Sequence, residues 1–534
     1  MKRQKIRAPK RDGESVLLPE GSCQSLLEAN RGFAGKTDIG FPLDFSETRR
    51  LARVELVKQA HRFTSQYANI EPLDDPNLLF LTGHQPELFH PGVWFKNFVL
   101  HRLAAIRNES GGRVALAVNL LVDNDLCDEV SLVVPAGNRD CPKKQSISLD
   151  ADSPPLPFEV RSWRTPVSSP EFIRRVQSAM GSLSGHDRLL TRFLAHLDEA
   201  RRGKTLVGES FAEARHRLEM EHGISNLEIP LSRICESLPF RKFLAAMIVE
   251  GRQLHREYNA SLRQFRKDCR IRSQTHPVPE LSQSEEWLEL PFWIWRKNSP
   301  ERGRLHVCFQ GDRIRISDRN RIEISGTATR LESVLQDACA GEEGVVVRPR
   351  ALMTTLYVRL FLADLFVHGI GGAKYDQLTD EIIRRLFGMH PPGYLTATST
   401  HRLPLGIEPF DDQRWQQFKK TVRERKYRPE QFGPSTGKMA EFRDLVGKKQ
   451  DLLQRMPRRG NKKSWHHEME ALNGRLLELN QPAYQESIRS LQIYEKTAPQ
   501  RALLCSREFS FVLHPPQLVD HLKQLAERAI PHSD

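Results

Sequence analysis

A strand, helix and strand pattern between residues 77 and 122 constrains the fold of this chain more than any other feature of its sequence. Residues 77–82 form a short apolar segment, and residues 93–106 then place apolar side chains on one face of a predicted helix. Residues 113–122 are almost continuously apolar, which is typical of a strand covered on both faces, as in parallel sheets. We therefore predict a βαβ unit and an α/β fold.

The length of the chain predicts more than one structural unit. A single hydrophobic core stops growing at roughly 250 to 300 residues, whereas this chain has 534. Residues 344–387 repeat the α/β pattern, and short alternating runs over residues 291–324 predict an antiparallel meander. The predicted divisions are a basic, flexible N-terminus (1–40), the first part of the core (41–140), a mainly helical insertion (141–289), the second part of the core with the meander (290–410), a coiled-coil arm (411–499) and a segment returning to the core (500–534).

The predicted arm rests on a heptad pattern. Two successive series of seam residues have alternating spacings of three and four, and they are Phe442, Leu445, Lys449, Leu452 and Met456, then Trp465, Met469, Leu472, Leu476 and Leu479. A turn at residues 457–461 separates them, so the pattern predicts an antiparallel coiled-coil hairpin. Lys449, the polar member, is predicted to fix its register.

Charge and cysteine usage narrow the classes of function. The formal net charge is +13, but residues 1–11 carry +6 and residues 411–463 carry +9, so the remainder is slightly acidic. With the basic excess on a tail and an arm, we do not expect nucleic-acid binding. Eight scattered cysteines without a CxxC pair argue against a zinc site or a disulfide framework. Without a secretory apolar region or a membrane-spanning run, we expect a soluble, cytoplasmic protein.

The turn at residues 82–92 is the strongest candidate binding site. It joins a predicted buried strand to a helix N-terminus, where free N–H groups favour anions. The histidines would donate to developing charge, the small residues would let the backbone approach a phosphate, and the lysine would add a cation. The alternative is a capped turn with surface histidines. The candidate residues are Thr82, Gly83, His84, Gln85, His90, Gly92 and Lys96.

A second candidate group follows the next predicted strand. Asp123, Asn124, Asp125 and Asp128 offer oxygen ligands that suit Mg²⁺ or a substrate amine. The alternative is a helix N-cap followed by first-turn acids, which the same residues also satisfy.

Two further features point to function less directly. Glycines 369, 371 and 372 follow a predicted helix, where such residues more often cap its C-terminus than hold a phosphate. Trp293 and the aromatic residues around it favour a buried core over a stacking platform. On spacing alone, the chain is predicted to be a nucleotide-binding α/β protein.

Four segments together resemble the bacillithiol-biosynthesis cysteine-adding enzyme family. The turn at residues 82–92 is similar to that family's TGQQ turn, with His84 in place of the first Gln. Residues 122–128 resemble its acidic stretch, with Val122, Asn124 and Cys127 at changed positions. Residues 348–372 resemble its third conserved region, and residues 506–511 its closing segment.

The resemblance implies a Rossmann-like core, related to class I aminoacyl-tRNA synthetases, with a helical insertion and a dimerising coiled coil. It implies an ATP-dependent, amide-forming ligase that joins the carboxylate of cysteine to the amine of glucosaminyl malate. ATP or ADP would be the nucleotide, Mg²⁺ a possible ion, and a second copy of the chain the partner.

The expected roles divide the candidate residues into three groups. Catalysis is expected of His84, His90, Asp123 and Asp125, and the two aspartates would also hold any Mg²⁺. Cofactor binding is expected of Thr82, Gly83, Gln85, Gly92, Lys96, Gly371 and Gly372. Substrate binding is expected of Asn124 and Asp128. The alternative is a catalytically divergent nucleotide-binding or dimeric scaffold protein of the same fold.

Overall fold

Strands and helices alternate along the first part of the chain, as the βαβ pattern predicts. A computed structural model describes residues 6–19, 23–34, 41–71, 76–109, 115–183, 188–435, 437–457 and 462–531. Among these residues, no helix has both the length and the apolar character needed to cross a bilayer.

The strands and helices are numbered in chain order. The strands are β1 (Glu14–Leu18), β2 (Leu78–His84), β3 (Ala115–Leu121), β4 (Leu126–Cys127), β5 (Ser131–Gly137), β6 (Pro142–Ser148), β7 (Leu156–Pro157), β8 (Leu227–Pro230), β9 (Gln283–Ser284), β10 (Trp287–Arg296), β11 (Ser299–Gln310), β12 (Arg313–Ser317), β13 (Glu323–Thr327), β14 (Val345–Pro349), β15 (Leu365–His368) and β16 (Tyr394–Thr400). The helices are α1 (Cys23–Ala34), α2 (Phe45–Thr64), α3 (Pro91–Glu109), α4 (Ser169–Met180), α5 (Leu189–Gly203), α6 (Val207–Met220), α7 (Leu231–Cys235), α8 (Leu238–Val249), α9 (Gly251–Asp268), α10 (Leu331–Cys339), α11 (Ala351–Tyr357), α12 (Ile370–Phe387), α13 (Asp412–Tyr427), α14 (Met439–Gln454), α15 (Lys462–Leu479), α16 (Gln481–Lys496), α17 (Ala498–Leu504) and α18 (Gln517–Ala529).

The central sheet has the strand order β8-β3-β2-β15-β16-β1. Five of its strands are parallel, and only β1 runs antiparallel to its neighbour β16. From β2 the chain moves outward to β3 and β8, and it later returns to the other side of β2 through β15 and β16. The direction of winding therefore reverses between β2 and β15, which is a topological switch point.

The middle of this sheet is covered on both faces. Along β2, Leu79 and Leu81 enter one hydrophobic core, whereas Leu78 and Phe80 enter the other. This alternation places helices on both sides, with α3 against one face and α2 against the other. The near-continuous apolar run of the second predicted strand has the same cause, because all seven residues of β3 are buried. The predicted α/β fold with a parallel sheet is confirmed.

The N-terminal segment differs from its prediction. Residues 14–18 lie within the segment predicted to be flexible, yet they form β1 and pair with β16 from Glu14–Thr400 to Leu18–Thr396. Residues 23–34 form α1, and Leu27 of this helix is buried. The segment after the basic stretch thus completes the edge of the sheet, and the prediction of flexibility is wrong for these residues. Residues 1–5, 20–22 and 35–40 lie outside the described part of the chain.

Two strands also fall where the sequence did not place them. β8 lies within the predicted helical insertion but joins the central sheet beside β3. β14 was assigned to a second α/β pattern, but it pairs antiparallel with β10 in a separate sheet of order β13-β12-β11-β10-β14. The meander itself, β10 to β13, is antiparallel as predicted.

The helices after residue 411 pack in pairs, α13 with α16 and α14 with α15. At the base of the second pair, Phe442, Leu476 and Leu479 form a small hydrophobic cluster. Lys449 was predicted to fix the register of the hairpin, but its ammonium is buried against Glu430, which lies outside α14 and α15. The turn predicted at residues 457–461 lies largely outside the described residues.

Candidate functional site

A crevice of about 510 Å³ opens at the carboxyl ends of the central strands. It includes the switch point between β2 and β15, which is where open α/β sheets bind ligands. Ten of the thirteen residues predicted for the site line this crevice, and three do not. Those lining it are Gly83, His84, Gln85, His90, Gly92, Lys96, Asn124, Asp125, Gly371 and Gly372.

The lining of the crevice contains more cationic than anionic side chains. Four cationic side chains line it, and they are Lys96, Arg302, Arg350 and Arg507. Asp125 is the single carboxylate among the described residues of its lining. Because cations in a partly enclosed space attract anions strongly, this composition favours a phosphate or carboxylate ligand.

Thr82 is the first of the three predicted residues that lie outside the crevice. Its side chain is fully buried, and its hydroxyl donates a 2.7 Å hydrogen bond to the carbonyl of Val367 in β15. The hydroxyl therefore joins the two strands at the switch point. It is not available to a phosphate, and Thr82, predicted to let the backbone approach a phosphate, does not line the crevice.

His84 is buried beneath the turn. Its Nδ1 donates to the Gln85 carbonyl at 2.9 Å, while Nε2 is buried and has no partner in the described structure. Burial, aided by Lys96, holds the pKa of His84 well below its usual value. A neutral imidazole with Nδ1 protonated presents a lone pair at Nε2. Because Nε2 is buried, however, it does not reach the open space of the crevice, and the donor role of His84 stays a prediction.

His90 marks the start of α3. Its Nδ1 accepts a 3.1 Å hydrogen bond from the Gly92 N–H, and Nε2 lies 3.5 Å from the Glu508 carboxylate. Burial lowers the pKa of His90 to about 4 despite Glu508, so the ring is neutral at pH 7. A Cβ at position 92 would lie 2.5 Å from the Ser399 carbonyl, so only glycine fits there.

Lys96 lies one turn into α3 and is 3% exposed. Its ammonium donates a 2.6 Å hydrogen bond to the Gly83 carbonyl. Burial, together with Arg215, lowers the pKa of Lys96 to about 7. Lys96 is therefore only partly protonated near pH 7. A bound anion would favour its charged form.

The polar residues that follow β3 do not all line the crevice. Asp123 turns away from the crevice and accepts hydrogen bonds from the N–H of Ser232 (2.9 Å) and its hydroxyl (2.5 Å). Burial, with Glu159 nearby, raises the pKa of Asp123 to about 7. Asp123 thus caps α7 from outside that helix and does not line the crevice, where we predicted it as a catalyst or Mg²⁺ ligand.

The other polar residues of this group lie at the rim. Asp125 accepts from the Gln85 amide at 3.0 Å and lies 3.6 Å from Arg302. Asn124 lines the crevice, but its amide already donates to the Pro349 carbonyl. Asp128 is exposed and does not line the crevice, contrary to its predicted substrate-binding role. Asp125 is therefore the acid best placed to meet a ligand.

The glycines at 371 and 372 occupy the first turn of α12, after the N-cap residue Gly369. They begin a helix and do not cap the C-terminus of the preceding one, so the C-cap alternative is wrong. No atom lies within 4 Å of a Cβ built on Gly371, whereas one on Gly372 would meet His368. Two long helices, α3 and α12, thus direct their N-termini toward the crevice, which suits an anion.

No protein-family model and no curated protein matches this chain. Its function has to be inferred from the site itself.

Several lining residues were not predicted. Arg302 and Arg350 both stack on Trp293, at 4.6 and 4.2 Å from its ring centre. Arg507 donates to Thr398 at 2.9 Å, which brings the C-terminal segment over β16. Their long-range contacts leave no local spacing pattern. Residues 348–352 and 506–511, picked out by the family resemblance, carried the available signal for Arg350 and Arg507.

A buried group elsewhere has the composition of a metal site. His216, Glu219 and Glu228 bring ligand atoms within 4.8 Å of one another. Arg215 already bonds both carboxylates, at 2.9 Å to Glu219 and 2.6 Å to Glu228. Because a guanidinium occupies the position between the acids, these residues form an ion-pair network that joins α6 to β8.

The pKa of Lys96 predicts a pH-dependent anion affinity. Sulfate keeps the same charge across neutral pH, so it should bind roughly tenfold more tightly at about pH 6 than at about pH 9, a change of about 1.4 kcal/mol. The ammonium form of Lys96 is present below its pKa of about 7 and lost above it. Isothermal titration calorimetry would measure the two affinities.

Lys96→Met should remove most of this dependence. Lys204→Met is the matched control, since Lys204 is also enclosed, with 9% of its side chain exposed, but lies outside the crevice. Equal sulfate affinity at both pH values in the unaltered protein would show that Lys96 does not contact the anion.

Proposed function

We propose that this chain is a nucleotide-dependent ligase that activates a carboxylate and joins it to an amine. The observation that carries the proposal is the cation-lined crevice at the switch point, into which two helix N-termini point. The strand order also supports it. From β8 to β16 it follows the 3-2-1-4-5 order of Rossmann-like nucleotide-binding folds, the class to which aminoacyl-tRNA synthetase cores belong.

In this proposal the phosphates of ATP lie over the first turns of α3 and α12. Backbone N–H groups at these turns, with Lys96, would offset the phosphate charge. The substrate carboxylate attacks a phosphorus atom of ATP and forms a mixed anhydride, which is either an acyl adenylate, with pyrophosphate leaving, or an acyl phosphate, with ADP leaving. Developing charge is then stabilised by dipoles that are already oriented, which is the most effective form of electrostatic catalysis.

The amine enters from the rim formed after β3. Asp125 is the carboxylate that would hold its ammonium, and Gln85 fixes the orientation of that carboxylate. The amine attacks the carbonyl carbon of the anhydride, and the phosphate leaves with the electron pair of the broken C–O bond. Cysteine and glucosaminyl malate are the substrates implied by the family resemblance.

Mg²⁺ fits this crevice only in part. Mg²⁺ prefers oxygen ligands in octahedral geometry and commonly binds through one or two carboxylates together with substrate phosphates. Asp125 supplies one such group, while Asp123 is held by Ser232. Most of the ligands of a bound Mg²⁺ would therefore come from the nucleotide phosphates.

A nucleotide-binding or scaffold protein without ligase activity is the second candidate. The observation that favours it is the placement of Asp123 outside the crevice, which leaves a single carboxylate for metal or amine. Such a protein would bind ATP and would not turn it over faster with any amino acid.

The ligase proposal predicts nucleotide turnover that depends on an amino acid and an amine. Release of AMP or ADP should rise when ATP is combined with the correct one of the twenty amino acids, and rise further with the amine acceptor. Asp125→Asn should lower the acceptor-dependent rate by about 5-fold, since an exposed charge pair of this kind contributes at most about 1 kcal/mol.

Asp128→Asn is the matched control, because Asp128 is an exposed acid of the same segment outside the crevice. Its rate should stay within a factor of two of the unaltered rate, a variation of at most about 0.4 kcal/mol. ATP binding without stimulation by any amino acid or thiol precursor would instead select the binding-protein candidate.

We also propose a homodimer formed through the pair α14 and α15. Large apolar side chains are exposed on α14 and just beyond it, and they are Met439, Leu453 and Met456. Exposed apolar side chains gathered on one projecting element favour contact with another protein surface. Met439 and Leu453 lie off the heptad seam that packs α14 on α15, so a second copy of the chain would cover a separate apolar face of α14.

Excision of residues 437–478 removes the proposed interface and should leave the rest of the fold undistorted. The N–H of Ser435 donates to the Leu479 carbonyl at 3.1 Å, so the two cut ends are adjacent and a short Gly-Ser linker joins them. The shortened protein should be monomeric by light scattering. The double variant Leu453→Glu, Met456→Glu should give the same result, and the control Gln454→Glu should remain dimeric. A dimer that survives excision would place the interface elsewhere.

A further inference from the structure

A chain of buried charges lies behind the floor of the crevice. Asp376, in α12, accepts hydrogen bonds from His368 Nε2 at 2.7 Å and from Arg359 Nη1 at 2.6 Å. All three side chains are at most 5% exposed, yet His368 lines the crevice. The buried ion pair of Arg359 and Asp376 thus contacts the imidazole of His368, which lines the crevice.

Asp376 is held in its ionised form. Burial alone would raise its pKa, but Arg359 and His368 together hold the pKa of Asp376 below its usual range. Arg359 also pairs with Asp380 at 2.7 Å and donates to the Pro392 carbonyl. Two carboxylates and a carbonyl therefore fix the guanidinium, and the guanidinium fixes Asp376.

The ionised carboxylate determines the tautomer of His368. A carboxylate only accepts hydrogen bonds, so Nε2 of His368 carries the proton and Nδ1 bears the lone pair. Within the described part of the chain, Nδ1 makes no hydrogen bond. A Cβ on residue 372 would lie 2.7 Å from Nδ1, so Gly372 is the residue that leaves this lone pair accessible.

The other two histidines of the crevice lack this arrangement. His84 also has a free lone pair, but the cations Lys96 and Arg215 add to burial in opposing its protonation. His90 uses its Nδ1 to accept from the Gly92 N–H. Neither imidazole is backed by a buried carboxylate that would stabilise a positive ring. Of the three histidines that line the crevice, His368 is therefore the one that has a buried carboxylate behind its ring and a ring nitrogen outside that contact.

We propose that His368 is the general base of this crevice and that Asp376 is its positioning residue. The inference rests on the proposed ligase function and assigns its amine-attack step. The ammonium of the acceptor gives one proton to Nδ1 of His368, and the free amine then forms the C–N bond. The C–O bond to phosphate breaks, its electron pair leaves on the phosphate, and the second N–H proton passes to solvent.

The groups that face His368 are compatible with a proton acceptor. Tyr394 of β16 packs edge-on to the imidazole, with the ring centres 4.8 Å apart, and Phe366 packs at 4.5 Å. The Lys96 side chain runs past Gly369, next along the chain. As imidazole and carboxylate act as a unit in Ser-His-Asp triads, loss of Asp376 should impair the same step as loss of His368.

Two nucleophiles that differ in their protonation near pH 7 can distinguish the attack of the amine from the activation of the carboxylate. Hydroxylamine is neutral near pH 7 and traps an activated carboxylate as a hydroxamate without needing a base. Methylamine is almost wholly protonated there and must first lose a proton. The full-length protein would be assayed with ATP, the stimulating amino acid and each nucleophile in turn.

His368→Gln should lower the methylamine rate by roughly 100-fold, the usual contribution of a general base, and leave the hydroxylamine rate within a factor of two. Asp376→Asn should lower kcat with methylamine by about 10-fold with KM unchanged, since it disturbs only the orientation and charge of the base. Added imidazole should restore part of the methylamine rate of His368→Ala. The control His401→Gln, at a histidine equally buried outside the crevice, should match the unaltered protein.

Equal losses with both nucleophiles, or no loss with either, in folded His368→Gln would overturn the assignment and leave the ligase proposal standing. Thermal denaturation would establish that each variant is folded. If Asp376→Asn does not fold, the His368 variants alone test whether His368 is the general base. Failure of the unaltered protein to form any hydroxamate, with all twenty amino acids, would instead reject the ligase proposal, and the base assignment with it.

Discussion

The position of β2 between β3 and β15 is the constraint from which the site follows. β2 sends side chains into both hydrophobic cores, so it must lie in the middle of a covered sheet. Its parallel neighbours are reached by connections that leave in opposite directions, and these connections separate at its carboxyl end. The Thr82 hydroxyl bonds the Val367 carbonyl there and holds the two strands together beneath the opening.

Burial then sets the electrostatics of that opening. Lys96 and the histidines at 84 and 90 are all enclosed, and their pKa values are lowered chiefly because the charged forms lose water. The arginines keep their charge, and Trp293 supports two of them by cation–π contact. Arg302, Arg350 and Arg507 are paired with the carboxylates of Asp125, Glu289 and Glu508. The Lys96 ammonium donates to a carbonyl, so an anionic ligand would add most charge compensation there.

Local pattern was sufficient to predict the βαβ unit and eight of the residues around the crevice, and the family resemblance added Gly371 and Gly372. Buried parallel strands leave continuous apolar runs, and the turn between strand and helix needs small residues such as Gly92. The errors came from contacts distant in sequence. β8 is only four residues long within helical sequence, and the strand of residues 345–349 could have joined either sheet.

The side chains that complete the site show the same limit. Asp123 and Asp125 are indistinguishable by spacing, yet Ser232, more than one hundred residues away, removes the first from the crevice. His368 and Asp376 are separated by a helix start, and their contact becomes visible only once β15 and α12 are placed. Hydrogen bonds of this kind leave no periodic signal in the sequence.

A crystal structure of the protein grown with a non-hydrolysable ATP analogue tests the proposed nucleotide site most directly. The phosphates are expected over the first turns of α3 and α12, within hydrogen-bond distance of the Lys96 ammonium. An analogue bound at any other surface, with only water in the crevice between β2 and β15, would contradict the assignment.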